Sequence, residues 1–115
     1  MSITKYNKSG SKFTATINED AQYITLKELF TEYGNKVHKV QLFFINKKSR
    51  YGDHPVIYTG DWLVDIPKHM VDTFNAIYND DKVIDDINNG RVGFNVVVYT
   101  KNHRQCYTIE FVDIF

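Results

Sequence analysis

Apolar and polar residues alternate at Phe13-Thr14-Ala15-Thr16-Ile17, a two-residue period that predicts a short strand. Thr25 and Glu28 then have the spacing of a capping box, and Leu26, Leu29, Phe30 and Tyr33 follow at helical period, with Gly34 as a stop. That predicts a short helix over 25–33. Val37 to Ile45 is β-branched and aromatic, with Val40, Leu42 and Phe44 on one face and Lys39, Gln41 and Phe43 on the other. Asn46 to Pro55 reads as a polar loop, and Val56 to Ile66 as a second long strand bent at Gly60.

Pro67 can open a helix, and Met70, Val71, Phe74, Ile77 and Tyr78 make one apolar stripe. Asn79-Asp80 interrupts it. Asp80 can cap a second helix carrying Val83, Ile84 and Ile87, closed by Asn89-Gly90. Val92 to Thr100 and Gln105 to Asp113 are then two strands joined at Lys101 to Arg104, which predicts a hairpin. With the short helix after the first strand set aside, the order is three strands, a helical segment and two strands. That is the order of the oligonucleotide/oligosaccharide-binding (OB) fold, a five-stranded, partly open barrel. The expected fold class is therefore mostly β (α+β): an OB barrel with a helical segment between the third and fourth strands and an extra short helix after the first.

A length of 115 residues suits one domain spanning 1–115, with the polar residues 1–11 expected to be flexible. Cys106 is the single cysteine, so an internal disulfide or an all-cysteine zinc site within one chain is excluded, and a reducing, cytoplasmic compartment is expected. No apolar run reaches the roughly 20 residues of a membrane span. The net charge is zero, but the charges are unevenly placed. Lys36 to Arg50 carries Lys36, Lys39, Lys47, Lys48 and Arg50 without a carboxylate, whereas Asp61, Asp65, Asp72, Asp80, Asp81, Asp85 and Asp86 dominate 61–86.

Single-strand binders combine a basic groove with aromatic faces on which bases stack. Aromatic residues make up 15 % of this chain, and several stand beside cations. The expected nucleic-acid track runs along Lys39, Lys47, Lys48 and Arg50 and past Lys101 and Arg104. Tyr51, Phe43, Tyr58 and Trp62 would supply the stacking rings. Tyr99 also precedes Lys101, His103 and Arg104. Core burial is the competing fate of Phe43, Tyr58 and Trp62.

Catalysis has no positive signal. His38, His54, His69 and His103 show no metal-ligand spacing, and no Walker or dinucleotide fingerprint occurs. The Asp80, Asp81, Asp85 and Asp86 group is read as a solvated acidic face, and Cys106 beside His103 as a small buried residue. No cofactor is expected. An acidic helical segment that docks a protein partner is the alternative function.

The second half carries a resemblance. Trp62-Leu63-Val64-Asp65-Ile66-Pro67, Asp85-Asp86-Ile87-Asn88-Asn89-Gly90 and Cys106-Tyr107-Thr108-Ile109-Glu110-Phe111 resemble the small OB-fold single-stranded DNA-binding proteins of lactococcal and related Gram-positive bacteriophages. The first half matches by topology only. The resemblance implies a homo-oligomer (dimer or tetramer) without metal or catalysis that coats single-stranded DNA in phage replication or recombination. It also implies contact with a phage recombinase or replication protein. Bacterial relatives often end in a linker and an acidic tail. Here Asp113-Ile114-Phe115 follows the last strand directly and is expected to finish the sheet.

Overall fold

A computed structural model of the chain describes residues 12–47 and 52–114. The expected flexibility of 1–11 falls outside them. Phe13 is buried in the core, but its neighbours form no strand. Thr14 instead donates its N–H to the Asn88 carboxamide oxygen at 3.0 Å, and Asn88 donates back to the Lys12 carbonyl at 3.0 Å. A side chain thus takes the place of a neighbouring strand. The first strand is β1 (Gln22–Thr25). Helix α1 (Leu26–Tyr33) follows at once, started by the expected capping box. Thr25 Oγ1 accepts from the Glu28 N–H at 3.1 Å, and the Glu28 carboxylate accepts from the Thr25 N–H at 3.1 Å. Leu26 and Leu29 bury the inner face of α1.

The expected strand over 37–45 is one extended segment that changes sheets. β2 (His38–Lys39) pairs with a later strand, and β3 (Leu42–Asn46) pairs with β4 (His54–Tyr58). The change occurs between Val40, whose N–H bonds to the Val92 carbonyl, and Gln41, whose N–H bonds to the Tyr58 carbonyl. The long strand expected over 56–66 is not one strand. It is β4, a tight turn, and β5 (Trp62–Asp65), antiparallel to β4. Gly60 turns the chain at φ +97°, and the Thr59 N–H bonds to the Trp62 carbonyl at 3.0 Å. Apolar residues on both sides of this turn disguise it as a continuous strand.

A 3-10 turn (Lys68–Met70) leads into α2 (Val71–Tyr78) and α3 (Asp81–Asn88). Asp80 caps α3 as expected, accepting from the N–H groups of Lys82 and Val83. The chain ends in a long hairpin of β6 (Val92–Lys101) and β7 (Arg104–Asp113). The Ile114 N–H then bonds to the Arg91 carbonyl at 2.7 Å, so Ile114 stays on the sheet, and Phe115 lies outside the described residues.

The strands form two open sheets, in the orders β1-β5-β4-β3 and β2-β6-β7. No barrel closes. The outer edge of β5 is taken by β1, in parallel register from Gln22↔Trp62 to Thr25↔Asp65. β7 therefore has no strand on its outer edge among the described residues. The architecture is α+β, with seven strands among the described residues.

Phe74 of α2 is fully buried between the sheets, in edge contact with Phe43 at 4.9 Å and against Phe111 at 5.6 Å. Burying a ring of this size contributes about 1.5–3 kcal/mol. Phe94 and Val96 complete the core from β6. No helix among the described residues is long and apolar enough to cross a membrane.

Candidate nucleic-acid interface

Strand alternation and register decide which expected site residues can act together. On β6, Phe94 and Val96 point inward, so Tyr99 and Lys101 lie on the opposite face. On β7, Cys106 stands across from Tyr99 and Arg104 across from Lys101. Tyr99, Lys101 and Arg104 therefore share one face of the hairpin, within roughly 7–8 Å of one another along the backbone. Tyr99 is 37 % exposed, and both cations are exposed. The cluster is an aromatic ring with a pair of positive charges beside it on the tip side of a two-stranded ribbon.

The other expected site residues that are described lie elsewhere. Phe43 is 6 % exposed, with Phe13 at 5.0 Å and Phe74 at 4.9 Å around its ring. Tyr58 is 4 % exposed, and its hydroxyl accepts from the Asn18 N–H at 3.1 Å and donates to the Gly60 carbonyl at 3.3 Å. Neither ring offers a face to a base. Both are core residues because the sheet inserts them among other aromatics. Trp62 is half-buried against the core at the Tyr58 end of β4. Lys47 is exposed beyond the opposite, His54 end, about 13 Å away along the strand. Lys48, Arg50 and Tyr51 lie outside the described residues.

Lys39 is exposed on β2, but its side chain passes over Gly90 just beyond α3. A Cβ at Gly90 would lie 2.8 Å from Lys39 Cε and 2.9 Å from its Nζ. A cation there complements the carbonyl end of the helix. Lys39 also lines a cleft of about 430 Å³ with Thr14, Gln41, Asn88 and Gly90. The Asn88 amide in this cleft is already committed to Thr14 and Lys12. The expected continuous track is thus divided. β6 runs antiparallel to β2, so the hairpin tip and Lys47, beyond β3, are reached in opposite directions from the β2–β6 pairing.

The acidic segment is partly occupied by local structure. Asp80 caps α3, Asp81 pairs with Lys12 at 3.5 Å, and Asp86 with Arg91 at 3.9 Å. No group of three or more His, Cys, Asp or Glu among the described residues is placed to hold a metal. His54 sits between two acceptors, with Nε2 3.0 Å from the Asp65 carboxylate and Nδ1 3.3 Å from the Gly52 carbonyl. It ties the start of β4 to the end of β5. Cys106 directs its thiol to the Arg104 carbonyl at 3.8 Å.

His38 is shifted down from its ordinary pKa of 6.5, chiefly by burial and then by Lys36, with Asp61 opposing. Its Nε2 is buried without a hydrogen-bond partner. The ring lies against Tyr33 at 5.6 Å and Phe94 at 5.4 Å, which makes it a packing residue.

One feature of the tip escaped the sequence reading. The turn is only Asn102-His103, and both residues are at positive φ, +53° and +64°. The one local signal for it was Asn102, a residue type that takes positive φ at the first position of such a turn.

The chain matches no protein-family model, no curated protein and no solved structure.

Proposed function

We propose that this protein binds single-stranded DNA with little sequence preference, through the exposed face of the β6–β7 hairpin. The observation that carries the reading is the placement of Tyr99, Lys101 and Arg104 on one exposed face. A ring offers every base a stacking surface, and the two cations, paired with each other on its tip side, meet the adjoining phosphates. Trp62 and Lys47 lie apart from this face and have no part in it.

The described strands come as five, then the helices, then two. The support for an OB-like scaffold is the segment that passes from one sheet to the other and the helices placed before a final two-stranded hairpin. Coating of single strands in phage DNA replication or recombination, by a dimer or tetramer that meets a recombinase or replication protein, is the setting that the resemblance supports.

The test is fluorescence anisotropy with labelled oligo-dT and a matched duplex at low and moderate salt. Binding to the single strand that exceeds binding to the duplex and weakens with salt is the expected result. Absence of single-strand binding at micromolar protein and low salt overturns the proposal.

A further inference from the structure

We infer that His103, at the tip of the hairpin, is a base-contacting residue held in a costly backbone conformation for that purpose. This inference rests on the single-strand-binding reading and extends it to a residue outside the Tyr99 face. A two-residue hairpin turn with both residues at positive φ is strongly preferred as Asn-Gly. Asn102 fits the first position at φ +53°. His103 occupies the second at φ +64°, where glycine would stand without steric cost.

Nothing in the fold asks for the ring. His103 is exposed, and no hydrogen bond, ion pair or ring contact anchors its side chain. What surrounds it is chemistry suited to a nucleic acid. Lys101 and Arg104 are paired directly across the turn, and Tyr99 lies one step further down the ribbon. Histidine is one of the rings on which unpaired bases stack. Backbone strain kept at an exposed tip among such groups points to use of the side chain. His103 thus adds one stacking position at the tip, beyond the Tyr99 face, with phosphates meeting Lys101 and Arg104 between the two rings.

The test sets stability against affinity in His103→Gly and His103→Tyr, measured by thermal unfolding and by anisotropy with oligo-dT. Glycine removes the strain and the ring together. His103→Gly is expected to melt higher than the wild type and to bind about fivefold or more weakly. His103→Tyr keeps a stacking face and the strain, and is expected to bind within about twofold of the wild type. Wild-type binding with unchanged affinity in His103→Gly overturns the role of His103 and leaves the Tyr99 face standing. A lower melting point for His103→Gly overturns it as well, because the turn is then unstrained. Absence of binding by the wild type overturns both this inference and the single-strand reading.

Discussion

The imidazole of His38 lies against the ring of Phe94, centroids 5.4 Å apart and planes 35° from parallel. Tyr33 closes the other side at 5.6 Å, edge-on. This packing disfavours a charged ring, and the nearby Lys36 disfavours it further, while Asp61 acts in the opposite sense. The unfolded chain therefore binds a proton at His38 more readily than the folded protein. The stability that neutral His38 contributes is complete above about pH 6.5 and is lost as the pH falls through the lower folded value. Urea unfolding between pH 7.5 and pH 5 is expected to show this loss, and His38→Phe is expected to reduce it. An unchanged pH dependence in the variant would place the titration elsewhere.

Phe43 separates core from surface. Its ring is enclosed by Phe13, Phe74 and Tyr78. Phe43→Ala is expected to cost about 3–5 kcal/mol of stability by urea unfolding. Phe43→Leu, which refills most of the volume, is expected to leave oligo-dT affinity unchanged. Loss of affinity in a well-folded Phe43→Leu protein would return the ring to the binding surface.

The Tyr99 face makes a distinct prediction about salt. Replacing Lys101 and Arg104 with alanine removes two phosphate contacts. The slope of log affinity against log salt is expected to fall by about 1.4 in magnitude, at about 0.7 per phosphate on a single strand. Tyr99→Ala is expected to weaken binding by about 1–3 kcal/mol without changing that slope. An unchanged slope in the double variant would remove the hairpin from the phosphate path.

Gly93 is required by close approach. A Cβ there would lie 2.7 Å from Ile114 Cδ1, 2.8 Å from Val37 Cγ1 and 2.9 Å from the His38 carbonyl oxygen. The two side chains can move, but the carbonyl belongs to the β2–β6 pairing. Gly93→Ala is expected to destabilise the protein by about 1–3 kcal/mol in denaturant unfolding.

The capping box offers a local check. Thr25→Ala removes the acceptor for the Glu28 N–H and is expected to cost about 0.5–2 kcal/mol. A negligible change would mean that α1 is held by its packing alone.

Local chemistry made several elements legible from residue order. Thr25 and Glu28 specify the start of α1 because capping needs only a three-residue spacing. Asp80 specifies the start of α3 in the same way. The apolar stripe of α2 and the terminal hairpin also follow from near neighbours, since periodicity and turn length are properties of adjacent residues. Other features depend on residues far apart in the chain. No strand forms at the expected 13–17, where Asn88, from α3, bonds to the Lys12 carbonyl and the Thr14 N–H, and the first strand is 22–25, paired with β5. The expected partly open barrel is instead two open sheets among the described residues, with β1 on the outer edge of β5.

The same distinction governs the candidate site. Aromatic and basic residues were visible at once, but composition does not say which ring a sheet will bury. Phe43 and Tyr58 went to the core and Tyr99 to the surface because pairing register and inter-sheet packing assign each face. The sequence by itself determined the helix starts, the hairpin and the supply of rings and charges, all set within a few residues by hydrogen bonding and periodicity. The tertiary structure alone decided which of those rings and charges share an exposed face, because that choice depends on contacts between segments tens of residues apart.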